Sequence, residues 1–270
     1  MLNRVRSLFR APNQADGAPP AAPESARQEP EQPARLSNFE YNRQLWDRYA
    51  RDWDAQWANI EDPQVSAEER AAYLRFVGDE WGRVRDVEQV VAEFILPFVD
   101  AHSLVGEIGV GGGRVAAKVI PNVGEFVCFD IAPEMLNRAR EALVAFSNVR
   151  YELMDGPRFP CGSKAAFDFL YAFDVFVHFD VHLLWRYFNL VREALKPGGR
   201  MLVHTTNLRA PLGWERFAGQ ESYSVEGHYF VTPELVLTLA ERAGVRLLKA
   251  SQADPANFYY NRDYLAVFET

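Results

Sequence analysis

Two carboxylates and one imidazole stand where this chain could do chemistry. Glu107 lies in the short apolar run 104–108, which reads as a buried strand. Glycines follow at once, in Gly109-Val110-Gly111-Gly112-Gly113, and then a helical pattern over 112–120. A strand, a glycine turn and a helix N-terminus in that order let backbone approach a ligand closely. The next apolar run, Phe126-Val127-Cys128-Phe129, ends at Asp130. In a parallel sheet both acids project from neighbouring C-terminal strand ends, the edge where open α/β sheets bind ligands. A carboxylate at the second strand end can accept from both hydroxyls of a ribose. One inside the first strand end suits a cationic amino-acid tail and would repel a pyrophosphate. His178, just past the apolar run 167–173, carries an imidazole whose ordinary pKa, near 6.5, suits proton abstraction at neutral pH.

The set Glu107-x-Gly109-x-Gly111-Gly112-Gly113 with Asp130 resembles the S-adenosylmethionine site of class I methyltransferases. The resemblance continues through Asp155-Gly156, Phe167-Asp168-Phe169, His178 and Leu195-Lys196-Pro197-Gly198-Gly199-Arg200, and covers residues 103–206. It implies a Rossmann-like α/β fold, with a mostly parallel seven-stranded sheet, helices on both faces, an antiparallel last strand and further helices at the N-terminal side. It implies S-adenosylmethionine as cofactor. Glu107 would hold the methionine amino group, Gly109, Gly111 and Gly113 would let backbone touch the ligand, and Asp130 would take the ribose hydroxyls. Ile131 would press on the adenine face. Asp155 would accept from the adenine amino group beside Met154, and Phe173 would offer a carbonyl. His178 is the candidate general base, with a backbone-bonded structural histidine as the alternative. Asp174, four residues earlier, would orient its ring if the turn between them is helical.

His204, Trp214, Tyr223, His228 and Tyr229 are the candidate acceptor-binding residues. The residues favour an O-methyltransferase acting on a sugar, a glycan or another polar small molecule, because a histidine base suits an alcohol and the aromatics suit sugar faces. A small-molecule methyltransferase of quinone or secondary metabolism is one alternative, and a non-catalytic partner module on the same fold is another. A nicotinamide enzyme is the third, since Gly111-Gly112-Gly113-Arg114-Val115-Ala116 fits a relaxed dinucleotide fingerprint. Glu107 and the later motifs stand against it. No paired spacing supports a metal site among Asp174, His178, His204 and His228.

These residues need a sheet to position them. Strands are expected near 103–108, 125–130, 148–153, 167–173, 200–206, 245–250 and 264–268, and helices near 112–120, 133–145, 181–195 and 232–243. Strand–helix alternation of this kind gives a parallel sheet covered on both faces. Three parts follow: a tail over 1–36, a helical cover over 37–100, and the catalytic domain over 101–270, with 207–230 as an inserted loop on the acceptor side. In the cover, Trp46, Tyr49 and Trp53 fall at helical spacing. Trp46 is expected in the core, and Tyr49 and Arg51 are weaker cofactor candidates. Two more helices are expected over 68–81 and 86–98.

The net charge of −8 and a pI near 5.3 argue against a nucleic-acid footprint. Two cysteines make no disulfide framework, which fits a reduced, cytoplasmic setting. No apolar stretch is long enough to span a bilayer. Leu2, Val5, Leu8 and Phe9 would share a helix face opposite Arg4, Arg6 and Arg10, the composition of a short interfacial helix with weak affinity for an anionic membrane surface. Six prolines between 11 and 36, without an aromatic residue, read as a disordered tether.

Overall fold

The apolar runs assemble one sheet whose order reverses at the glycine motif. The computed structural model describes residues 36–53, 75–160, 163–221 and 227–270. The strands are β1 (Leu104–Ile108), β2 (Glu125–Asp130), β3 (Val149–Leu153), β4 (Phe167–Ala172), β5 (Leu195–Thr206), β6 (Arg246–Ala250) and β7 (Asp263–Glu269). Their order is β3-β2-β1-β4-β5-β7-β6. The first five run parallel, and β7 is antiparallel to both β5 and β6. The chain therefore turns back between β1 and β4, and the crevice at that switch point lies at the ends of the strands carrying Glu107, Asp130 and Phe173. Register sets Glu107 beside Cys128 on one side and Tyr171 on the other.

The helices are α1 (Asn38–Asp52), α2 (Val84–Phe94), α3 (Ala116–Val119), α4 (Pro133–Ala142), α5 (Val181–Ala194), α6 (Pro211–Ala218), α7 (Pro233–Ala243) and α8 (Phe258–Arg262). One apolar cluster joins α5 and α7 to one face of the sheet through Phe129, Leu170, Tyr187 and Phe268. A second joins α2 to the other face through Phe94, Val105, Phe126 and Phe169. Burying both faces explains why β1 and β2 are buried along nearly their whole length rather than at alternate residues.

Helix α1 is built to stay beside the site. Ser37 and Glu40 form a capping box at its start. Its flank docks on α4: Asp47 accepts from the Glu134 N–H at 3.0 Å, and Arg138 donates to the Ala50 carbonyl at 3.0 Å.

Several expectations change. Helix 112–120 shrinks to α3 because Gly113, at φ 86, cannot continue a right-handed helix. Within 68–81 the described part holds only a 3₁₀ turn, Asp79–Trp81, between Gly78 and Gly82. Helix 86–98 starts earlier, at Val84, and ends at Phe94, because Pro97 imposes a 3₁₀ turn. The segment 207–230 is not simply a loop, since it contains α6. The tail and tether of residues 1–35 and the candidate Tyr223 lie outside the described residues. Residues Leu36–Thr270 form one compact unit, so the cover is not separate from the catalytic domain. Among the described residues, no helix is long and apolar enough to cross a membrane.

Helix α8 had no strong sequence signal, yet it carries residues that reach the site. Asn257, fully buried, fixes it. Its amide donates to the Asp86 carbonyl at 3.2 Å and to Gln89 at 2.9 Å, and its oxygen accepts from the N–H groups of Tyr259 and Tyr260. Asn257→Ala leaves those buried groups unpaired. Urea unfolding should show a loss of about 1–3 kcal/mol, and an unchanged midpoint would contradict this role.

Candidate active site

The acids open into a pocket of about 780 Å³ at the switch point. Glu107 is only 2 % exposed and accepts a hydrogen bond from the Tyr171 hydroxyl at 2.8 Å. It forms no ion pair among the described residues. Burial pushes its carboxyl up to about 8, against the pull of Tyr171 and Arg114. Asp130 accepts from the Gly111 N–H at 3.0 Å and the Ala132 N–H at 2.9 Å. Burial raises it to about 6, and those backbone donors oppose the rise. Each oxygen has accepted one such bond and keeps capacity for another.

Two glycines in the turn do different work. Gly109, at φ 70, packs against the next turn: a Cβ there would lie 2.4 Å from Val175 Cγ2. Gly111, at φ 54, opens on empty space, with nothing within 4 Å of a Cβ. A buried acid lacking a cation, a second acid with spare acceptor capacity, and an open backbone turn between them fit S-adenosylmethionine. Met154, Ile131 and Met135 give the pocket its apolar side, and Asn42 and Trp46 of α1 give it a wall.

A buried charge network stands behind the pocket. Asp174 has φ 56, a left-handed conformation rare outside glycine. Its N–H donates to His204 Nδ1 at 2.9 Å, so the His204 proton is on Nε2, which donates to Asp263 Oδ2 at 3.0 Å. The Asp174 carboxylate pairs with Arg114 and, at 3.3 Å, with Arg262. Arg262 also donates to Asp263 at 2.7 Å, and Arg114 donates to the Tyr259 hydroxyl at 3.1 Å. Burial alone would raise the Asp174 carboxyl, but the guanidinium groups of Arg114 and Arg262 outweigh it and hold it at about 2. The ligand atoms of Asp174, His204 and Asp263 lie within 4.8 Å of one another, close enough to hold a metal ion. Two guanidinium groups already neutralise both acids, so a divalent cation would meet like charge.

This network corrects two expectations. Asp174 does not orient the His178 ring; its carboxylate is committed to the two arginines, and its own backbone is not helical. His204 is fully buried and bonded at both ring nitrogens, so it cannot meet an acceptor.

His178 lines the pocket. Its Nδ1 lies 3.4 Å from the Gly227 carbonyl, which can only accept, so Nδ1 carries the proton and Nε2 keeps its lone pair. Burial lowers the ring to about 4, with Arg216 and Arg262 adding to the effect, so His178 is neutral at physiological pH. Its ring lies 5.1 Å from Trp46 and 5.0 Å from His228. His228 is lowered further, to about 2, by burial and by its neighbours His178, Arg216 and Arg262. Asn38, in the first turn of α1, donates to the His178 carbonyl at 3.2 Å and to the Tyr229 hydroxyl at 3.0 Å.

The structure does not bring every candidate together. Glu107, Gly109, Gly111, Asp130, Ile131, Met154, Phe173, Asp174 and His178 line the pocket. Gly113 is off it, against Leu143. Asp155 is exposed and borders a separate recess with Arg43 and Asp180. Trp214 is 56 % exposed and packs on Phe217 at 5.4 Å rather than facing the pocket. Tyr49 bonds Glu80 and Arg51 pairs with Asp47, so neither faces the pocket. Sequence reading missed Asn42, Trp81, Arg114 and Tyr187 in the lining; Trp46 packs on a core cluster as expected and lines the pocket as well. The four-residue spacing of Asn42 and Trp46 marks one helix face and could have found that pair.

Two outcomes follow. Asp130→Ala should weaken S-adenosylhomocysteine binding by more than tenfold in calorimetry, and unchanged affinity would remove Asp130 from the site. Glu107 holds a proton in the folded chain, between its ordinary 4.5 and about 8, that the unfolded chain releases. Stability of the ligand-free protein should therefore fall as pH rises from 7 to 8, by at most about 1.4 kcal/mol per pH unit. The depressed His178 and His228 act in the opposite sense, because their unfolded rings are still half protonated at 6.5, and their effect fades above pH 7. A melting temperature that rises between pH 7 and 8 would contradict a protonated Glu107.

Comparison with known proteins agrees with the fold. The chain is similar to magnesium protoporphyrin IX methyltransferase (ChlM) from Synechocystis PCC 6803, solved with bound S-adenosylhomocysteine, at 14% identity and TM-score 0.60, covering 86% of this chain and 99% of that one. It is similar to the PH0226 protein from Pyrococcus horikoshii OT3 at 21% identity and TM-score 0.57, covering 82% and 98%. It is also similar to the [4+2]-cyclase SpnF at 15% identity and TM-score 0.55, covering 69% and 84%. At these identities the likeness establishes the fold. No curated protein matches the chain in sequence. Residues 105–199 match the family model described as a methyltransferase domain. That match takes in most of β1 with Glu107, the glycine turn, Asp130, Met154 and His178, so the chain carries a methyltransferase domain over those residues.

Proposed function

We propose that the enzyme methylates a hydroxyl group on a polar small molecule, a sugar or glycan by preference, with His178 as general base. The observation that carries this reading is the neutral His178 ring on the pocket wall, with its proton on Nδ1 and the Nε2 lone pair uncommitted. When bound, S-adenosylmethionine supplies an electrophilic methyl group on a sulfonium. Glu107 binds the amino end and Asp130 binds the ribose, and together they fix the donor. Trp46 and Trp81 close the wall and exclude water. An attacking hydroxyl becomes strongly acidic as its bond to carbon forms, so even a base lowered to about 4 can take its proton at Nε2. Positioning of donor and acceptor supplies the larger share of the rate.

The short amphipathic start, residues 1–10, supports weak contact with an anionic membrane surface, and with it a cytoplasmic place at the membrane's inner face. His178→Ala should lower kcat roughly 10²–10⁴-fold, with S-adenosylhomocysteine affinity kept within about threefold. A large loss of affinity instead would reassign His178 to the cofactor's surroundings, and full activity would remove it from proton transfer.

A further inference from the structure

Among the described residues the buried charges behind the pocket balance, and Arg216 on the neighbouring helix stands outside that balance. Arg114 and Arg262 face Asp174 and Asp263, and His204 is neutral by its hydrogen bonds. Arg216 of α6 has no ion pair or hydrogen bond among the described residues, and it is solvent-accessible. Helix α6 is seated directly on the charge network: a Cβ on Gly213 would lie 2.0 Å from the Asn207 carbonyl oxygen and 2.6 Å from that of Arg262. Arg216, three residues on, shares that face. The charged and titratable groups within its reach are Arg262, Asp263, Asp174, His178 and His228.

A row of rings leads from this helix to α1. Phe217 lies 5.3 Å from Phe230, Phe230 lies 6.5 Å from His228, His228 lies 5.0 Å from His178, and His178 lies 5.1 Å from Trp46. Both histidines are neutral, so neither competes with Arg216 as a counter-charge. The rings therefore form a continuous path from α6 to the pocket wall, with a proton acceptor on it and, on α6 beside Phe217, a guanidinium without a partner among the described residues.

We propose that the acceptor docks along this row and carries an oxyanion, a carboxylate or a phosphate, that pairs with Arg216. A guanidinium presents parallel N–H donors matched to either group. The proposal rests on the hydroxyl-acceptor reading for the reaction but is tested by binding alone. The probes are glucuronate, glucose 6-phosphate and 4-hydroxybenzoate, each titrated by calorimetry into the full-length protein saturated with S-adenosylhomocysteine. Glucose and 4-hydroxybenzamide serve as neutral partners.

At least one anion should bind more tightly than its neutral partner, and added salt should weaken it. Arg216→Gln should cost roughly tenfold in that affinity, and Arg216→Lys should recover part of it. Affinity for S-adenosylhomocysteine should stay the same in both variants, which shows that the fold and the cofactor site survive. Equal binding of neutral and anionic probes, no loss in Arg216→Gln, or no binding of any of the three anions overturns the proposal. The two sugar arms separate carboxylate from phosphate. Labelled methyl appearing on nitrogen or carbon, with anion binding intact, would defeat the hydroxyl reading and leave the Arg216 site standing.

Discussion

The structure depends on one uncompensated charge site, the Glu107 carboxyl, held in the middle of a sheet at the point where strand order reverses. Taking a carboxylate out of water without a cation is costly, and the group holds its proton instead. Tyr171, its neighbour in register on β4, supplies one hydrogen bond. The missing element is a positive group, and the pocket beside Glu107 is where one can enter. A cationic amino end would satisfy the acid, and Asp130 on the next strand would then be placed to meet the sugar of the same molecule. The fold does not merely hold these two acids. It leaves one of them in want of a ligand.

The second constraint is the pair of turns that bound the pocket. Gly109 and Val175 are in such close approach that neither turn can shift without the other. Arg114, at the end of the glycine turn, reaches Asp174 in the turn after β4, and Asp174 in turn meets Arg262 at the end of α8. Asp174 stays in a left-handed conformation because His204, Arg114 and Arg262 each hold one of its polar groups. The cofactor turn, the turn that leads to His178, and the C-terminal helix–strand unit are thus tied through one buried, charge-balanced network. Position of His178 relative to Glu107 and Asp130 follows from that network rather than from any contact between Asp174 and His178.

Much of this was legible in the sequence, and the part that was not has a common cause. The strand ends, both acids, the glycine turn and the turn carrying His178 are local patterns, written in short apolar runs and fixed spacings. The seven strands followed from the same alternation, and their antiparallel ending from the family resemblance. What the sequence hid were contacts between segments far apart in the chain. His204 looked like an acceptor-facing group because it ends β5 on the correct edge, yet Asp174 and Asp263 claim both its nitrogens. Asp155 follows β3 where the resemblance requires an acid, but in the structure it faces an outer recess. Arg262 and Tyr259 sit on a five-residue helix without an apolar stripe, so no periodicity marks them. Trp46 packs on the apolar cluster of Ala50, Val77, Ala132 and Met135, as its spacing predicts, but its second role in the pocket's wall depends on where α1 docks.

The most direct test of Glu107 as the waiting acid is calorimetry of S-adenosylhomocysteine binding at pH 7 in buffers of different ionisation enthalpy. A carboxyl raised to about 8 is largely protonated before binding and must ionise to hold the amino group. The account predicts release of most of one proton on binding, absent in Glu107→Gln, which should also bind more weakly. Binding without proton release, at an affinity that Glu107→Gln leaves unchanged, would contradict it.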